Sequence, residues 1–135
     1  MTQFIQKFIE KNIQLIEDNK WRELFLAWYE NSEELWPDEA DEFKQFINML
    51  VNAGIYPDSI ALESVVTEKI EDCMIAEKHN FLQGVTPHIS LFGIVNRLNS
   101  RLGYDYLEIR KIADKVATKL GMRYTDYYGG GYTWQ

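Results

Sequence analysis

Three side chains in this sequence are of the kinds that most often do covalent or metal chemistry: Cys73, His79 and His88. A Cys73/His79 or Cys73/His88 pair could serve as nucleophile and base, because the thiolate is the reactive form and an adjacent imidazole can take its proton. The spacing argues against it. Cys73 falls on the apolar stripe of Leu62, Val65, Val66, Ile70 and Met74, where burial without a cationic neighbour raises a thiol's pKa and leaves it inert. Glu68 and Asp72 stand at i, i+4, with His79 two turns further along that face. No HExxH or ExxH spacing joins them, so no metal site is expected. Gly129-Gly130-Gly131 lacks the preceding strand and following helix of a phosphate cradle, and no P-loop or dinucleotide fingerprint occurs. The expectation is a non-enzymatic protein that needs no cofactor.

Binding is the better use of these residues, and the charges say where. The 135 residues carry 14 Lys+Arg and 21 Asp+Glu, a net of −7. Residues 1–80 hold 7 basic and 17 acidic side chains, whereas residues 81–135 hold 7 basic and 4 acidic. The densest acidic stretch runs from Glu30 to Glu42 without a basic residue. Its carboxylates at Glu33, Glu34, Asp38, Glu39, Asp41 and Glu42 surround Trp36, an aromatic of the type enriched at interface hot spots. Carboxylates so placed could imitate phosphates in a basic groove. A second candidate contact is the tail from Arg123, where Tyr128, Tyr132 and Trp134 flank the glycines. A partner protein is the expected ligand of one or the other.

The alternative is nucleic acid. Arg97 and Arg101 lie one turn apart, Lys111 and Lys115 recur at i, i+4, and Arg123 opens the tail. A basic surface with aromatics beside it can track a phosphate backbone and stack bases. An Ala117/Gly121 pair resembles part of a helix-turn-helix, but the Tyr- and Gly-rich residues that follow cannot form its recognition helix. The net of −7 also disfavours general affinity for phosphates. A third expectation is a structural subunit, in which the acidic half of one copy meets the basic half of the next, head to tail.

Helices must position all of these residues. Phe4, Ile5, Phe8, Ile9, Asn12, Ile13 and Ile16 recur at helical spacing over residues 2–17, and Trp21, Leu24, Phe25 and Trp28 repeat the pattern. A third helix is expected from Pro37 through Val51, closed by Gly54 with Ile55 folding back beyond it. A fourth opens at Pro57-Asp58-Ser59 and fades by Gln83-Gly84. Thr86-Pro87 reads as N-cap and first residue of a fifth, whose stripe is Leu91, Ile94, Val95, Leu98 and Leu102 before Gly103. Asp105 and Glu108 form an acidic capping box for a sixth, which ends at Gly121. The tail reads as a short hairpin or as an extended arm.

The expected fold is therefore all-α: one bundle of about six amphipathic helices over residues 1–122, with an aromatic, Gly-rich tail over 123–135. Within that body, residues 1–80 would be the acidic part and residues 86–121 a basic helical hairpin. One cysteine, the lack of an apolar leader and the lack of any 18-residue apolar run point to a cytoplasmic protein with no membrane contact. In size, acidity and helix content the chain is similar to many small bacterial and phage inhibitors and adaptors. The expected function is accordingly an inhibitor or regulator that occludes a partner's surface.

Overall fold

The computed structural model describes residues 3–32, 41–82, 89–126 and 129–134. These residues form α1 (Gln3–Lys11), α2 (Ile13–Glu17), α3 (Trp21–Asn31), α4 (Glu42–Asn52), α5 (Ser59–Leu82), β1 (Ile89–Ser90), α6 (Leu91–Leu102), α7 (Tyr106–Lys119), β2 (Met122–Thr125) and β3 (Gly131–Trp134). The protein is mostly helical, with one small antiparallel sheet of strand order β1-β3-β2. No helix among the described residues is long and apolar enough to cross a membrane. By compactness the chain divides into Met1–Val65 with Ser100–Gly103, and Val66–Asn99 with Tyr104–Gln135.

The first unit is built on aromatic packing. Trp28 is fully buried and its ring meets Phe4, Phe8, Phe43 and Phe46 at centroid distances of 5.2, 5.0, 5.7 and 4.7 Å. Most of these contacts are edge-on, the arrangement an aromatic quadrupole favours. A buried indole N–H needs an acceptor, and the Trp28 Nε1–H donates to the Arg101 carbonyl at 2.7 Å. The expected first helix is interrupted at Asn12, whose side-chain amide donates to the Phe8 carbonyl at 2.9 Å. That bond offers the backbone an alternative to continuing the helix. At the end of α4, Gly54 adopts a positive φ and Ile55 N–H donates to the Leu50 carbonyl at 2.9 Å, closing the helix as its sequence predicts.

The second unit joins α7 to the sheet. Asp105 caps α7 by accepting from the Glu108 N–H at 3.0 Å, one half of the capping box its spacing predicts. Ile109, Ile112, Ala113, Val116 and Ala117 are buried along one side of the helix. Gly121 then turns the chain at φ 77°, and β2 and β3 pair in an unbroken register from Met122↔Trp134 to Thr125↔Gly131. The tail is thus a hairpin and not an extended arm. A correction concerns the start of the fifth helix, expected at Thr86-Pro87. Ile89 and Ser90 instead pair with Tyr132 and Gly131, and the helix begins at Leu91. Burying Ile89 against a strand outweighs the local preference for a helical start.

Candidate interaction surfaces

Of the acidic stretch, Glu33, Glu34, Trp36, Asp38 and Glu39 lie outside the described residues, as do Tyr128 and His88. Asp41 precedes α4 and is exposed. Glu42 is 3% exposed in the first helical turn, where the helix dipole favours a carboxylate. It is therefore withdrawn from the contact surface expected for it.

Among the described tail aromatics, Tyr132 turns inward. Tyr132 is fully buried and its hydroxyl donates to Asp114 Oδ1 at 2.6 Å. Burial and this hydrogen bond to a carboxylate push its phenol well above the usual tyrosine range. Its ring meets that of Tyr124 edge-on at 5.7 Å. Tyr124 in turn carries the Arg110 guanidinium 4.2 Å above its ring, and Arg110 donates to the Tyr106 hydroxyl at 3.3 Å. Trp134 is partly buried. A partner could not reach Tyr132 without opening the hairpin, so its role is packing.

Four of the five cations expected to form one basic surface, Arg97, Lys111, Lys115 and Arg123, belong to the second unit. Arg101 belongs to the first unit, where its guanidinium lies 4.8 Å above the Tyr29 ring. Arg97 is exposed on α6 and lies within electrostatic reach of Cys73, whose thiol burial pushes up. Lys111 and Lys115 are exposed on α7. Arg123 is exposed at the strand position between Met122 and Tyr124, so it points to the opposite face of β2 from those two. The next lysine on α7, Lys119, is paired with Glu71 at 3.3 Å.

The charge division also changes. By compact unit, the first holds 6 basic and 13 acidic residues and the second holds 8 and 8. The acids of α5 from Glu68 onward belong to the second unit and offset the cations there. Among the described residues, no group of three His, Cys, Asp or Glu side chains could hold a metal ion.

One feature escapes the sequence pattern. Tyr56 is 74% exposed and Ile60 76% exposed, on the corner between α4 and α5. Gly54 and Ile55 close α4 before them, and Asp58 Oδ1 accepts the Ile60 N–H at 2.9 Å to open α5. The corner therefore has a defined backbone on both sides. Two signals were available: Tyr56 sits between Gly54 and Pro57, where no helical stripe can bury it, and Ile60 falls off the stripe of Val65, Val66 and Ile70.

Comparison with known protein families, with curated proteins and with solved structures finds no match.

Proposed function

We propose that this protein is a non-enzymatic protein-binding module of the cytoplasm, a regulator or inhibitor that occludes a partner's surface, with Tyr56 and Ile60 at the centre of its contact. The observation that supports this reading is the exposure of both side chains at about three-quarters on a corner held by hydrogen bonds. Large aromatic side chains dominate binding energy when they insert into a partner's pocket, and a rigid setting lowers the entropy lost on docking. The 13 acidic and 6 basic residues of the first unit favour a partner with a basic surface and would steer its approach. Contact with nucleic acid through Lys111 and Lys115 is less favoured, since the second unit has equal numbers of acids and bases.

The test is affinity capture from host cells with wild type, Tyr56→Ala/Ile60→Ser and Lys111→Glu/Lys115→Glu, each checked for unchanged helicity. A partner retained by wild type and the lysine variant should be lost from the corner variant, with affinity falling by roughly 30-fold or more if Tyr56 is a hot spot. A partner bound equally by the corner variant overturns the assignment. Loss in the lysine variant alone moves the contact to α7.

A further inference from the structure

The turn from α6 to α7 is divided between the two units. Both helices belong to the second unit except for Ser100–Gly103, which is part of the first. The neck of this four-residue finger is closed by residues of the second unit, because the Asn99 side-chain amide donates to the Tyr104 carbonyl at 2.8 Å. Its tip is built into the aromatic core of the first unit. The Arg101 carbonyl accepts the buried Trp28 Nε1–H at 2.7 Å, and the Arg101 guanidinium lies over the Tyr29 ring. Leu102 is 1% exposed. Gly103 has a φ of 67°, and a Cβ there would fall 3.1 Å from Phe43 Cδ1, so glycine both permits the turn and lets the backbone come close to the ring.

These contacts tie the fates of the units together. Withdrawing the finger would leave the Trp28 N–H buried without its acceptor and strip Leu102 of its cover, both of which are costly. α6 runs unbroken through Asn99 and Ser100, and α7 begins at Tyr106, so the finger is short at either end. Opening of α6 and α7 therefore pulls on the core around Trp28, and opening of that core leaves the finger unheld. Segments linked in this way open as one cooperative unit.

We propose that Ser100–Gly103 is a clasp that makes the two units open and close together, so that a ligand held by the folded form of either one stabilises both. Occupancy of one unit is then registered in the other without any shared binding residue.

The experiment is native-state amide hydrogen exchange on the full-length protein labelled with nitrogen-15. Ile112→Val trims the buried side of α7 in the second unit and should speed exchange at Ala113 and Val116 by about three- to tenfold. The clasp requires the same factor at Leu24 and Phe25 of α3, in the first unit. Unchanged exchange at those two amides overturns the proposal. On a Gly103→Ala background, Ile112→Val should speed the α7 amides alone. If Leu24 and Phe25 still follow, the link is α5, which also passes from one unit to the other at Val65–Val66, and the clasp is overturned. Arg101→Ala, which removes the stacking on Tyr29 and leaves the carbonyl in place, takes the same role should Gly103→Ala fail to fold. It should reduce the response of α3, and an undiminished response overturns the proposal.

Discussion

At the scale of single residues, burial separates structural from surface roles more sharply than residue type does. Tyr132 and Tyr56 are both tyrosines near glycines in sequence, yet one is fully buried and the other 74% exposed. The raised phenol of Tyr132 has a pH consequence. Its pKa in the folded protein lies above the unfolded value of about 10, so its stabilising contribution is complete below that value and is lost as pH rises beyond it. Replacement by Phe removes the bond to Asp114, costs roughly 1 kcal/mol at neutral pH, and makes the alkaline fall in stability shallower. Urea unfolding from pH 7 to 11 checks both effects. Cys73, whose thiol is also pushed up by burial, should react with a disulfide reagent at pH 8 much more slowly in the folded protein than in denaturant. A folded-state rate equal to the denatured one would contradict its inert role.

At the scale of elements, caps and stripes were legible and pairings were not. The spacings of Trp21, Leu24, Phe25 and Trp28, the Asp105/Glu108 cap and the closure at Gly54 are local, so short-range rules find them. β1 was hidden because Ile89 and Ser90 become a strand only through residues more than forty positions later, against a helix-start signal beside them. The stacking of Arg101 on Tyr29 was hidden for the same reason: helical spacing shows that Arg97 and Arg101 are one turn apart, but not which ring Arg101 will meet. The hairpin itself has a testable weak point. Gly129 and Gly130 both have positive φ, at 84° and 102°, but a Cβ on Gly129 meets nothing within 4 Å while one on Gly130 falls 2.8 Å from the Tyr124 hydroxyl. Gly129→Ala should cost roughly 1–2 kcal/mol of backbone strain. Gly130→Ala should cost more and should disturb the near-ultraviolet signal of the tyrosines, which thermal unfolding and circular dichroism will distinguish.

At the scale of the whole molecule, the net charge of −7 is held entirely by one unit, since the other is balanced. Like charges in one compact unit repel, and salt screens them over roughly 8–10 Å at moderate ionic strength. Thermal unfolding followed by tryptophan fluorescence should therefore show a higher midpoint as sodium chloride rises from about 10 to 150 mM. The buried tryptophans Trp21 and Trp28 report on that unit. A midpoint that falls with salt would mean that attractive pairs, such as Lys119–Glu71, outweigh the repulsion.

The position of β3 between β1 and β2 also has a consequence in time. During synthesis the ribosome releases both outer strands before the central one, so neither has its partner when it first appears. Until Gly131–Trp134 emerges, Ile89 has no strand to cover it and Met122 leads into an edge with nothing on either side. That interval is when another chain could capture these segments most readily. The same residues that later complete the sheet thus set how long the nascent protein must be shielded.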